Sequence, residues 1–129
     1  MIEVTAKLNF LRISPRKVRL VVDLVRGKKA LRAVDVLSIL NKKSSEPVKK
    51  LLLSAIANAK HHFNLVEDSL KITKIIVNEG PTIKRWMPRA RGKATMIRKR
   101  TAHINMVLTG EEGTKVRQDM VKKKEIKNK

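Results

Sequence analysis

Between Gly80 and Gly110 stand eight cations, Lys84, Arg85, Arg89, Arg91, Lys93, Arg98, Lys99 and Arg100, and no acid. Arginine forks match phosphate oxygens two at a time and lysine meets them as a point charge, so this spacing implies grip on a phosphate backbone. Ile83, Trp86, Met87 and Ile97 are interleaved with the cations and need something to pack on, which a merely solubilising loop does not. The segment therefore reads as a cationic finger. The whole chain shares the bias: 31 Lys and Arg against 11 Asp and Glu give a formal net charge of +20 over 129 residues. An ordinary solvated surface mixes both signs, and self-repulsion of this size opposes compaction until a polyanion neutralises it.

Other chemistries fit poorly. Gly92-Lys93 invites comparison with a phosphate-binding loop, but Met87 stands where that loop needs glycine and Ala94 where it needs Ser or Thr. Gly27-Lys28 fails in the same way, with Val22 in the glycine position. His61, His62 and His103 lack a Cys or carboxylate cluster beside them, so no metal site is expected. Ser, His and Asp show no catalytic spacing, no paired carboxylates sit in an apolar setting, and neither enzyme activity nor a cofactor is expected. Without cysteine there are no disulfides or thiolate sites. Phe10, Phe63 and Trp86 are the only aromatic residues, too few for base stacking to be the main binding mode.

The elements that must position these residues show in the hydrophobic period. Ile2, Val4, Ala6 and Leu8 alternate with polar residues as in a half-buried strand. Ser14-Pro15 opens a helix with Val18, Val21, Val22 and Val25 on one face, Arg16, Arg19 and Arg26 turned away from it, and Gly27 as the stop. A second helix is expected from about Lys29 to Leu40, with Ala30, Ala33, Val34, Leu37 and Leu40 inward. After the polar break Asn41 to Ser45, a third runs from about Glu46 to His61 and buries Leu52, Ala55, Ile56, Ala59 and Phe63. Leu70 to Val77 and Ala102 to Leu108 read as strands, so the core is α+β and fits one domain over residues 1–110.

The stretch of residues 80–100 between those strands is far longer than a hairpin loop of about two to five residues. If both arms are extended at about 3.3 Å per residue, the tip projects roughly 33 Å. Beyond Gly110 the charges of residues 111–129 alternate with few apolar residues, and this basic tail is expected to be disordered. No apolar stretch approaches the roughly 18 residues that span a bilayer, and Met1 to Thr5 lacks a signal-peptide pattern, so a cytoplasmic location is expected.

Three blocks together resemble the bacterial-type ribosomal protein twenty-two family of the large subunit. They are Ser14-Pro15-Arg16-Lys17-Val18-Arg19-Leu20-Val21, then Ser54-Ala55-Ile56-Ala57-Asn58-Ala59, and then Glu79-Gly80-Pro81 through Lys84-Arg85, Met87 to Ala94 and Lys99 to Ile104. The resemblance covers about residues 1–110. It implies three helices packed on a small antiparallel sheet with a long protruding β-hairpin, the globular part on the subunit surface and the hairpin reaching inward to line the peptide exit tunnel. It also implies contact with 23S-type rRNA, neighbouring large-subunit proteins and the nascent peptide, help in early assembly, and neither membrane binding nor a homo-oligomer.

The RNA-binding residues expected on this basis are Arg12, Arg16, Lys17, Arg19, Arg26, Lys28, Lys29, Lys84, Arg85, Arg89, Arg91, Lys93, Arg98, Lys99, Arg100 and His103. The matching tunnel tip is Lys84, Arg85, Trp86, Met87, Pro88, Arg89, Ala90, Arg91, Gly92 and Lys93, where changes in the family alter macrolide sensitivity. Trp86 stands where the family carries an aliphatic residue. From the residues alone, a DNA-architectural protein with a basic arm tipped by Pro88 is the alternative, and a cationic membrane-surface protein ranks below it because the valine and alanine faces are sized for a protein core.

Overall fold

A computed structural model describes residues 1–111, and the expectation for residues 112–129 lies outside them. In chain order the elements are β1 (Ile2–Leu11), α1 (Pro15–Val25), α2 (Ala30–Ile39), α3 (Ser45–Phe63), β2 (Lys71–Glu79), β3 (Ile83–Pro88), β4 (Ala94–Lys99) and β5 (Ala102–Gly110). Three helices pack on one face of an antiparallel sheet of order β1-β5-β2, while β3 and β4 pair in a two-stranded sheet of their own. This is the α+β architecture expected from the hydrophobic periods.

The last strand in sequence is the middle strand in space, and its side chains reflect that. Ala102, Ile104, Met106 and Leu108 point into the core and are fully buried, while His103, Asn105, Val107 and Thr109 on the reverse face are half-buried. Val4 and Ala6 of β1 and Ile72, Ile75 and Val77 of β2 complete the inner face of the sheet. Against it lie Val18, Val21, Val22 and Val25 of α1, Ala30, Ala33 and Leu37 of α2, and Val48, Leu52, Ala55 and Ala59 of α3. The small alanines let α2 and α3 sit close to each other and to the sheet.

Ser14 sits at the N-cap of α1 with proline at the first helical position, as expected; its carbonyl accepts from the N–H groups of Lys17 and Val18, and its hydroxyl makes no capping bond. One local expectation needs correction. Phe63 is not core: it is 42% exposed, because the chain reverses at Asn64 in a left-handed conformation and Leu65 takes the buried place beneath the last turn of α3.

Arg19 of α1 and Arg26 at its C-cap do more than solvate a helix face. Strand β2 is an edge strand whose outer carbonyls would otherwise lie open. Arg19 donates to the Val77 carbonyl at 3.1 Å and Arg26 to that of Ile75 at 3.1 Å. Further along the same edge, Ala30 N–H donates to the Leu70 carbonyl and Ile72 N–H to that of Lys28. The edge is thus closed along most of its length by α1 and the turn after it.

The finger grows directly from the sheet. Glu79 pairs with Ala102, Gly80 N–H donates to the Thr101 carbonyl at 2.9 Å, the Thr101 hydroxyl donates to the Pro81 carbonyl at 2.6 Å, and pairing resumes with Ile83 opposite Lys99. A Cβ at Gly80 would collide with the Thr101 hydroxyl, so this joint requires glycine. The paired arms have six residues each, about 20 Å at 3.3 Å per residue, which is shorter than the roughly 33 Å expected from fully extended ten-residue arms.

No residue from Lys84 to Thr95 is buried. Replacing residues 80–100 by a two-residue turn is therefore expected to leave a folded core with a cooperative melt by circular dichroism. Loss of the transition would mean that the finger belongs to the core.

Candidate nucleic-acid interface

In a two-stranded antiparallel ribbon directly opposed residues share a face. One face of the finger carries Lys84 opposite Arg98, Trp86 opposite Met96 and Pro88 opposite Ala94. The other carries Ile83 opposite Lys99, Arg85 opposite Ile97 and Met87 opposite Thr95. Each face thus has an apolar pair or diagonal that holds the arms together and cations beside it. Ile83, Met96 and Ile97 are half-buried in this way, and the cations are exposed.

The turn itself is Arg89 to Lys93, closed by Arg89 N–H donating to the Lys93 carbonyl at 2.8 Å. Arg91 and Gly92 both take left-handed conformations, φ +63 and +71, which turn the chain at the apex. Of the ten residues expected at the tip, Lys84 to Pro88 lie along β3 and only Arg89 to Lys93 form the end.

Among the described residues, ion pairs join Arg26 to Asp23, Lys50 to Glu46 and Lys60 to Glu67, and none involves the finger. The finger's positive charge is thus left for an external anion. Arg16 and Lys17 add cations in the first turn of α1, where the helix dipole disfavours them unless an anion is present. Arg12 and Lys29 are exposed, Lys28 is half-buried, and Arg19 and Arg26 keep exposed surface although both also guard the β2 edge. His103 is half-buried, its Nδ1 accepting the Phe10 N–H at 3.1 Å, so at most its far side is open to a ligand.

Sequence reasoning passed over Lys42 and Lys43 as part of a polar break. With Arg12 and Lys17 they rim a cleft of about 490 Å³ floored by Leu20, Leu24 and Leu40, and no acid lines it. The signal was present as two adjacent lysines, but the cleft exists only because α1 and the α2–α3 connection meet. Among the described residues no three His, Asp or Glu side chains gather as a metal site, and no helix is long and apolar enough to cross a membrane.

Trp86 is 67% exposed and stands opposite Met96 on the ribbon. Replacing it with alanine is expected to shift the melting midpoint of the free protein very little, whereas loss of a core tryptophan costs about 3 to 5 kcal/mol. A large drop in the melting midpoint would place the ring in the core.

A small helical layer on one face of a sheet, a cation-studded ribbon continuing that sheet, and charge without counter-charge define a class: a basic scaffold that binds a polyanion. Comparison with known proteins narrows the class, since residues 6–109 match the family described as ribosomal protein L22p/L17e. A protein of Fusobacterium nucleatum named large ribosomal subunit protein uL22 is 54% identical over 110 residues, 85% of this chain and 99% of that relative. Proteins of the same name from Macrococcus caseolyticus and Staphylococcus aureus strain JH9 are 50% and 48% identical, across 85% and 88% of this chain and 89% and 97% of their own lengths. The chain belongs to the ribosomal protein L22p/L17e family, whose members are structural proteins and not enzymes.

Proposed function

We propose that this chain, a structural constituent of the large ribosomal subunit in the cytoplasm, binds 23S-type rRNA chiefly through phosphates, aids the subunit's assembly and lines the nascent-peptide exit tunnel with the end of its hairpin. The observation that carries the reading is the finger: a paired ribbon anchored in the core sheet, bearing eight cations that no described acid neutralises. Such a ribbon is long and narrow enough to pass between RNA helices, and its guanidinium groups meet phosphates on either side. The cations of α1 and the basic cleft would hold the globular part against the RNA surface. Neighbouring large-subunit proteins and the nascent peptide are the remaining partners. Residues 1–110 act as one domain, and the tail from Glu111 supplies generic counter-charge.

Lys84, Arg85, Trp86, Met87 and Pro88 would then face the tunnel wall or its RNA, with Arg89 to Lys93 at the deepest point. In ribosomes carrying Trp86→Ala, macrolide sensitivity or the passage of certain nascent chains is expected to change, because a bulky ring narrows the path. Binding of the full chain to a large-subunit rRNA transcript, measured against duplex DNA of equal length and charge, tests the central part of the reading. Preference for the folded rRNA, reduced when residues 80–100 are replaced by a turn, is the expected result. Equal binding to DNA with or without the finger would contradict it.

A further inference from the structure

We propose that Phe10, braced by His103 at the root of the hairpin, is a stacking platform for one unpaired RNA base; the inference rests on the rRNA-binding reading and assigns a site within it. The ladder between β1 and β5 runs from Ile2 opposite Gly110 to Leu8 opposite Ile104 and resumes at Leu11 opposite Ala102. Asn9 and Phe10 therefore stand against the single residue His103, which makes a bulge. Phe10 takes φ +58, a left-handed conformation that bulky residues rarely adopt. Its N–H donates to the Nδ1 of His103 at 3.1 Å, and the two rings meet edge to face with centroids 4.9 Å apart at 88°. The imidazole is confined from another side by Gly80, where an added Cβ would stand 3.2 Å from Cε1 and 3.3 Å from Nε2.

All this fixes a ring that the core does not use, since Phe10 is 64% exposed. Packing does not account for a strained backbone that holds a large apolar ring in solvent, and outliers of this kind cluster where a protein binds something. Neither of the other aromatic residues is mounted this way: Phe63 lies at the end of a helix and Trp86 stands in a regular ladder position opposite Met96. A rigid, open ring suits the face of a base splayed out of its helix, and it accepts any base because every base has a π-face.

The surroundings favour a nucleotide. Arg12 is exposed two residues further on, and Gly80, which borders His103, also lines a polar cleft of about 220 Å³ with Arg98, Arg100 and Thr82. Glu79 is the one acid in that cleft. Phosphates held by the two arginines would carry the RNA strand past the hairpin root beside Phe10.

The test uses the full chain and a large-subunit rRNA transcript. Phe10→Gly removes the ring and relieves the left-handed strain, so the fold is kept, as a melt would verify. Affinity is expected to fall about tenfold, while the dependence of log affinity on log salt keeps its slope because no phosphate contact is lost. Arg100→Ala should instead flatten that slope by about one. As a direct readout, a chain carrying Phe10→Trp and Trp86→Phe has its sole tryptophan at position 10, and saturating RNA should quench its emission. Unchanged affinity of Phe10→Gly, or no quenching in a chain that binds normally, overturns the stacking site and leaves phosphate-led binding standing. If the unmodified chain ignores the transcript, both readings fall.

Discussion

Raising the salt from about 50 to about 200 mM is expected to weaken binding of this chain to large-subunit rRNA by at least about a thousandfold. The figure follows from counterion release. Each phosphate neutralised by Lys or Arg frees a condensed cation, and a protein making about six to ten such contacts loses roughly 10³ to 10⁵ in affinity over that range. The finger alone offers eight exposed cations, and Arg12, Arg16 and Lys17 add three at the globular end. Filter binding or fluorescence anisotropy at graded salt measures the slope. A shallow dependence, equivalent to one or two phosphates, would contradict phosphate-led binding.

The same charge makes an opposite prediction for the free protein. With a net charge of +20 the folded chain repels itself, so screening by salt should raise its melting midpoint while it weakens RNA binding. That margin matters for the second large effect. Ile104 lies in the middle strand and is fully buried, with β1 on one side, β2 on the other and helices above. Ile104→Ala should cost about 2 to 5 kcal/mol, out of the roughly 5 to 15 kcal/mol that holds a domain folded. Ile76→Ala, on the open face of the neighbouring strand, should cost about 0.5 kcal/mol or less. Denaturant midpoints of the two variants decide it, and equal costs would mean that the helices do not cover the sheet as described.

What could be read in advance was whatever the local period or local charge encodes. The alternation in β1 and β5, the valine stripe of α1 and the mixture of cations with apolar residues in the finger depend only on neighbours in the chain. What could not be read depends on contacts made across the fold. Arg19 and Arg26 look like a free basic face on a helix considered alone, and only the position of β2 shows that they also close its edge. Phe63 fits the apolar stripe of α3, but the left-handed Asn64 hands its place to Leu65. Phe10 sits in a strand pattern that gives no sign of the register shift, because a bulge is a property of the pair β1 and β5. Within the ten residues expected at the tip, the point where the chain turns is hidden for a similar reason: the left-handed pair Arg91 and Gly92 locates it, and arginine does not advertise that conformation.

The most direct test of the central claim is photo-cross-linking within assembled large subunits, with the cross-linker placed in turn at Lys84, Arg91, Arg98 and, at the opposite end of the sheet from the finger, the exposed Asp68, and with the attached nucleotides identified. The account predicts that the three finger positions join to large-subunit rRNA, with Arg91 reaching nucleotides that line the exit tunnel, while Asp68 gives little or none. Finger positions that cross-link only to protein, in subunits where Asp68 labels the RNA, would contradict it.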